Sequence, residues 1–457
     1  MQQHKNLILM VASTAVFFEA LDIAIVNLAA PIIQRDLVLS ANSIQWLQTL
    51  YLIPYGGFLI LGGKLADTYG RKRMFLCGGF IFMLTSLCAG LSTSYEVLLF
   101  FRMVQGVGAA LIMPAALSII SFTFQEPAAR GKAMGIFSAF AAVGSGLGMS
   151  VGGLVATFLG WPWVFFINVP VIASTLWLGY RFMDNDDVKE NDARPDILSA
   201  ACLTGSIVLL SAFIHLAGDL RQHVALSLIM LVSFGITLGI FILRSTSSKN
   251  PLINFSAMLN SSTRLAVGVF VLLGAFFNGY LFVISIILQN SLHYSAAHAG
   301  LLLFPFGLVS MVVSKYALPL LLHRFNMHAI GMLGLVSMVA GAAALLFFFQ
   351  GDYNFMFLLM AILCISGVGM AICIPSLMVL TVQHVRDEHH GVASSLGTTA
   401  YFLGGGLGLS VLTLFAPTET GSAQVTSTVI VVLGLFAVAG LLWMLTRVKI
   451  ISLRSQF

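Results

Sequence analysis

Glu19 and Asp22 stand three residues apart inside the first apolar stretch of this chain, 7–30. Three residues of helix rise about 4.5 Å and return to the same face, so the two carboxyls are neighbours. A carboxylate near the middle of a bilayer costs on the order of 3 kcal/mol even on insertion scales. A helix that only had to span would not carry two, and the chemistry they suggest is that of a proton or cation site. A third ionisable group, Arg102, enters the fourth apolar stretch at a depth close to that of Asp22. This placement predicts Arg102 beside Asp22, with Glu19, near mid-bilayer, as the carboxyl that exchanges a proton. The reverse assignment, Asp22 exchanging and Glu19 assisting, stays open. A purely structural ion pair would need only one acid and leaves the second unexplained.

Polar and aromatic residues inside other spans are candidates for contact with a transported molecule. Gln48, Tyr51 and Tyr55 recur at helical spacing along one face of the second span. Asn278 and Tyr280 interrupt an aliphatic run in the ninth, and Tyr401 does so in the thirteenth. Lys315 lies within snorkelling reach of its span's end and reads as a lysine without a site role. His384, His389 and His390, with Asp387 and Glu388, fall in a loop and read as solvated, with no metal site expected. Cys77, Cys88, Cys202, Cys364 and Cys373 are odd in number and lie in apolar stretches, so free, buried thiols are expected.

The elements that must hold these groups follow from composition. Of 457 residues, 59% are hydrophobic and only 9% charged, against about 25% charged in soluble domains. Mean hydropathy is +0.99. The chain reads as an all-α integral membrane protein with about fourteen spans of roughly twenty residues each. The net charge of +5 does not point to nucleic acid, because in a membrane protein the position of each Lys and Arg matters more than their sum. With the N-terminus placed in the cytosol, the loop cations fall almost entirely inside, among them Lys64, Arg71, Arg130, Lys189, Arg194, Lys249, Arg324 and Arg386. Only Arg35 and Arg221 fall outside. Both termini are therefore expected in the cytoplasm. The first stretch is too long and too acidic for a cleaved leader.

The acidic segment 184–196, with Pro195, and the basic segment 244–264 bracket two spans. The expected partition is a six-helix bundle over 1–183, linker and two additional helices over 184–250, and a second six-helix bundle over 251–457.

The loop after the second span reads Gly63-Lys64-Leu65-Ala66-Asp67-Thr68-Tyr69-Gly70-Arg71. It resembles the G-x-L-a-D-x-x-G-R signature of the major facilitator superfamily, in which Gly63, Asp67, Gly70 and Arg71 would form a gate latch. Leu21-Asp22, Val26-Asn27 and Pro31 are similar to the first-span motif of the fourteen-span drug:H⁺ antiporters. Arg102 with Gln105-Gly106-Val107-Gly108 resembles the fourth-span motif, whose Arg is associated with proton transfer. Gly144, Gly148, Gly152 and Gly153 match the small-residue ladder of the antiporters. Met149 stands where that ladder has proline, and Pro162 precedes Trp163 where a basic residue is usual. The second half repeats the pattern faintly, in His323-Arg324-Phe325-Asn326 and in Gly404 to Gly408.

The resemblance implies the major facilitator fold, two bundles rocking about a central cavity, and proton-driven export of an amphipathic or cationic organic compound. Met149 keeps an alternative open, a proton-coupled symporter or facilitator of a specific metabolite. The sequence shows no phosphate-binding loop and no extramembrane catalytic domain, so no enzyme and no cofactor is expected. Energy would come from a proton gradient, and the partners would be protons, a small-molecule substrate and lipid. The expected form is a monomer, multi-pass in a bacterial inner or plasma membrane.

Overall fold

A computed structural model describes residues 2–40, 43–183, 195–217, 223–248, 251–253, 261–350, 353–383, 385, 390–416 and 425–454. Lys189, Arg194, Arg221, Lys249, His384, Arg386, Asp387, Glu388 and His389 lie outside the described residues, as does the side chain of His390.

Fourteen helical segments among the described residues are long and apolar enough to cross a membrane. α1 (Gln2–Asp36), α2 (Trp46–Tyr69), α3 (Arg71–Gly90), α4 (Tyr95–Thr123) and α5 (Pro127–Phe158) each cross once. A short α6 (Pro162–Phe166) runs into α7 (Asn168–Phe182) as the sixth crossing. The additional pair is α8 (Ile197–Ala217) and α9 (Val224–Ser247). The second bundle starts with α10 (Ser261–Ile286), which a π-helical turn extends over Ile287–Ser291. α11 (Ala296–Val312) and α12 (Leu318–Arg324) are joined through a π turn at Val313–Ala317. α13 (Met327–Gln350) follows, then α14 (Phe355–Ile362) and α15 (Met370–Val382) around a π turn at Leu363–Gly369. α16 (His390–Leu414) and α17 (Ser427–Arg454) complete it.

Local chemistry sets the helix boundaries. The Ser94 hydroxyl caps α4 by accepting from the Val97 amide, and Ser295 caps α11 by accepting from that of His298. Gly70, at φ 101°, turns the chain from α2 into α3 in a single residue, a conformation that a side chain would strain. The sequence reading ends the first span at Ala30, whereas α1 runs on through Pro31 to Asp36. Proline lacks the amide that would bond the carbonyl four residues back. That carbonyl, of Asn27, accepts instead from Ser285 Oγ of α10 at 2.7 Å. The same compensation recurs at Pro375, whose orphaned Ala371 carbonyl accepts from Ser314 Oγ at 3.3 Å. Neighbouring helices repair proline breaks in this way inside membranes.

Helices in lipid gain little from the hydrophobic effect and associate by close packing. Three glycines of α5 press against α1: a Cβ on Gly144, Gly148 or Gly152 would lie 2.4 Å from the Phe17 carbonyl, 2.8 Å from that of Leu21 or 2.2 Å from Ile25. This contact clamps the helix that carries both acids. Gly153 faces the other bundle, where its Cβ would meet the Ala296 carbonyl at 2.0 Å. The bundles also touch where Ser150 Oγ donates to the Gly300 carbonyl and Thr157 Oγ1 accepts from the Ala297 amide. Further along, Gly146 faces Gly307. Gly135, eleven residues or about three turns back on the same face, has nothing within 4 Å of its Cβ position. Along the α5–α11 line the bundles thus close toward the end where α1 finishes and part toward the end that carries the Gly70 turn.

Candidate functional site

Asp22 and Arg102 meet in the interior of the first bundle, both fully buried, with Arg102 Nη1 2.5 Å from Asp22 Oδ2. The other polar atoms of the pair find partners on α2, α4 and α7. Gln105 Nε2 on α4 and Asn168 Nδ2 on α7 donate to Asp22 Oδ1 at 3.2 and 2.9 Å. Ser86 on α3 accepts from both of them, and its own hydroxyl donates to the Phe165 carbonyl. The guanidinium donates to Gln105 Oε1, Gln48 Oε1 and the Leu47 carbonyl at 2.8, 3.3 and 3.2 Å. Its plane lies 4.2 Å from the Tyr51 ring centroid, a cation–π contact strengthened by exclusion from water. A buried ion pair repays its desolvation only when its remaining donors and acceptors are met. Here they are met from α2, α4 and α7, with Ser86 of α3 bracing Gln105 and Asn168.

Glu19 is placed differently. One turn along α1 from Asp22, it is buried, and among the described residues neither the Asp22–Arg102 nor the Asp196–Arg244 ion pair includes it. Tyr55 of α2 donates its hydroxyl to Glu19 Oε1, while Oε2 is buried without a hydrogen-bond partner. The Tyr55 ring stacks on Phe402 of α16, with centroids 4.0 Å apart and planes at 29°. A Cβ on neighbouring Gly56 would lie 3.0 Å from Phe402 Cβ and 3.0 Å from the Thr399 carbonyl. Glu19 therefore sits one side chain away from the opposite bundle.

The structure divides the polar residues singled out within the spans. Gln48 and Tyr51 belong to the Arg102 shell, and Tyr55 to Glu19. Asn278 donates to the Gly274 carbonyl at 3.0 Å and hydrogen-bonds with Tyr401, joining α10 to α16 within the second bundle. Tyr280 lies apart, inside the second bundle, accepting from Ser366 Oγ in a π turn. Lys315 is exposed beside the Tyr316 ring. The cysteines are free, but only Cys202 and Cys373 are buried, and Cys77 is exposed on the outer face of α3, because an apolar span turns part of its surface away from the protein interior. Ser86 and Phe402 were not legible as site residues, because nothing in their own sequence surroundings separates them from ordinary packing.

At the Gly70 turn, Arg71 rests over the Phe122 ring at 4.6 Å, Asp67 is exposed, and Lys64 donates to the Pro251 carbonyl. Beside them Arg244 Nη2 pairs with Asp196 at 2.9 Å, tying the end of α9 to the start of α8. Burial pushes the Asp196 carboxyl up, but the hydrogen bonds from Arg244 and Ser199 outweigh it and hold it below the usual carboxylate range. At the opposite end Gln45 Oε1 accepts from Thr413 Oγ1 at 2.6 Å, and its amide lies 3.2 Å from His215 Nδ1. One glutamine thus joins α2, α8 and α16.

A family profile described as Major Facilitator Superfamily matches residues 12–409. The puromycin resistance protein pur8 of Streptomyces alboniger is 31% identical over 416 residues, covering 88% of this chain and 80% of that protein. The multidrug resistance protein Stp of Mycobacterium tuberculosis (strain CDC 1551 / Oshkosh) is 27% identical over 415 residues, covering 90% and 76% respectively. Among solved structures, a point mutant of the peptide transporter POT matches with a TM-score of 0.66 at 17% identity, over 97% of this chain and 94% of that one. That last likeness is one of fold. Profile, relatives and fold agree along nearly the whole length, and the chain belongs to the Major Facilitator Superfamily, as a multi-pass transporter of the cell membrane and not an enzyme.

Proposed function

We propose that this transporter exports an amphipathic or cationic organic compound in exchange for protons, by alternating access between its two bundles. The observation that carries the reading is the contrast between two acids on one helix. Asp22 is fully engaged by Arg102, Gln105 and Asn168, whereas Glu19 keeps a buried, unpartnered oxygen. A carboxyl so placed can take up a proton or attract a cation, and not both at once. Competition of that kind enforces exchange, since each ligand binds only when the other has left.

The names of the relatives support the export direction, being those of puromycin and multidrug resistance proteins. The loop cations, read by the positive-inside rule, support cytoplasmic termini. With that orientation the parted end of the bundles faces the cytosol, the state in which an exporter loads. The energetics suffice: a proton crossing 100 mV supplies about 2.3 kcal/mol, enough for roughly a 50-fold substrate gradient.

The test is proton movement in vesicles containing the purified chain, with a lipophilic cation such as ethidium as probe. Under an imposed proton gradient the probe should release protons from an acidic lumen, and Glu19→Gln should abolish this. Wild-type coupling in Glu19→Gln would end the reading. Co-movement of probe and proton in one direction would establish symport instead.

A further inference from the structure

We propose that Tyr55 is the positioning residue that transmits the state of Glu19 to the opposite bundle, through its stack on Phe402. The proposal rests on the proton-exchange reading of Glu19 given above. Its basis is that one rigid side chain makes two contacts with opposite partners. The hydroxyl donates to Glu19 Oε1 in the first bundle. The ring of the same residue lies face to face with Phe402 in the second, 4.0 Å between centroids.

A tyrosine has no joint between its ring and its hydroxyl oxygen. If the hydroxyl moves away from Glu19, the ring moves too, and the stack must slide or part. While Glu19 is a carboxylate, the Tyr55 bond is charge-assisted, the stronger kind, and both contacts are held together. A proton on Glu19, or a cation drawn to it, removes the charge that holds the hydroxyl. The ring is then released from the position that matches Phe402.

The surroundings direct this movement into the bundle seam. Tyr55 is buried, and the Tyr51 ring packs edge-on 5.9 Å away on one side. That ring is itself fixed under Arg102. At Gly56, the next residue, a Cβ would already be tight, 3.0 Å from Phe402 Cβ and from the Thr399 carbonyl. The α2–α16 contact is therefore tight at the level of Glu19, where a small displacement of one aromatic ring alters how the bundles fit. Phe402 in turn packs edge-on against Tyr401, 5.3 Å away, whose hydroxyl reaches Asn278. The path runs from an acid on α1 to the helices of the second bundle without passing through the Asp22–Arg102 pair.

The experiment measures the distance between spin labels at the exposed positions Lys132 on α5 and Arg324 on α12, in the full chain reconstituted in lipid, at acid and alkaline pH. The wild type should change its distance distribution with pH. Tyr55→Phe keeps the stacked ring but deletes the donor, and should lose the pH response while retaining the fold. Phe402→Leu keeps the donor but deletes the stack, and should lose it as well; Phe402→Tyr should restore it. Glu19→Gln serves as the reference for a site that cannot titrate. A wild-type pH response in Tyr55→Phe or in Phe402→Leu, with Glu19→Gln silent, overturns the coupling role and leaves the proton reading standing. A wild-type response in Glu19→Gln itself overturns both.

Discussion

Ser285 Oγ reaches across the bundle seam to the carbonyl oxygen of Asn27 at 2.7 Å, the backbone acceptor that Pro31 deprives of its helical donor. Gln289, in the π turn that extends α10, donates to the Leu28 carbonyl and to Ser285 Oγ, each at 3.0 Å. A proline in one bundle thus creates the acceptor that the other bundle fills. Removing one partner of a buried hydrogen bond costs about 1–3 kcal/mol. Ser285→Ala should therefore weaken the closed end by that amount, seen as a shift of cross-bundle label distances toward separation. Pro31→Ala returns the missing amide. In that background the effect of Ser285→Ala should shrink, which a double-mutant cycle measures directly.

Arg102→Leu should be among the most damaging single changes in the chain. It leaves the Asp22 carboxylate buried at zero exposure without its counter-charge, a loss of roughly 3–5 kcal/mol by precedent for broken buried pairs. Lysine should not substitute. It cannot supply the forked donors to Asp22, Gln105 and Gln48 together, nor the planar face over Tyr51. The combined Arg102→Leu, Asp22→Leu variant removes both charges and should recover much of the thermal stability in detergent.

The overall architecture was readable because its signals are long and redundant. Fourteen apolar stretches, the segments 184–196 and 244–264, and the Gly63–Arg71 motif each point to one arrangement. Arg102 and Asp22 could be paired from depth alone, since both are counted along spans of known rise. What sequence could not give was rotation. Gln48 and Tyr51 share a face with Tyr55, yet they serve Arg102, because the α2–α4 crossing turns that part of the helix inward. Phe402 is one of 36 phenylalanines, and its role exists only through a stack on a residue nearly 350 positions earlier. The π turns are equally invisible: two of the three carry Gln289 and Ser366, whose partners lie on other helices.

The Asp196–Arg244 pair gives a pH dependence outside the membrane. Its folded carboxyl titrates below the usual carboxylate value of about 3.9. Stability from the pair is thus fully present above that unfolded value and is lost as pH falls through the lower folded one. Arg244 is 43% exposed on its side chain, so solvent screens the pair, and its worth is about 1 kcal/mol or less. Arg244→Gln should lower the unfolding temperature slightly at neutral pH and cease to do so in strong acid. An equal deficit at every pH would mean that the lost packing of the arginine stem, and not charge, is responsible.

Gly135 and Gly153 lie on the two ends of α5, and alternating access assigns them opposite sensitivities. A Cβ at Gly153 would meet the Ala296 carbonyl at 2.0 Å, whereas one at Gly135 meets nothing within 4 Å. Gly153→Ala must therefore push α5 from α11 and destabilise the present arrangement, by about 1–3 kcal/mol as an overpacking change. Gly135→Leu fits this arrangement freely, and a helix interior gains up to about 1 kcal/mol on losing a glycine. Rocking to the opposite state brings the Gly135 end of α5 against the α11–α12 segment, and there the leucine has no room. Gly135→Leu should thus raise or preserve thermal stability while slowing turnover severely. Normal turnover in this variant would mean that the two bundles never close along the α5–α11 line.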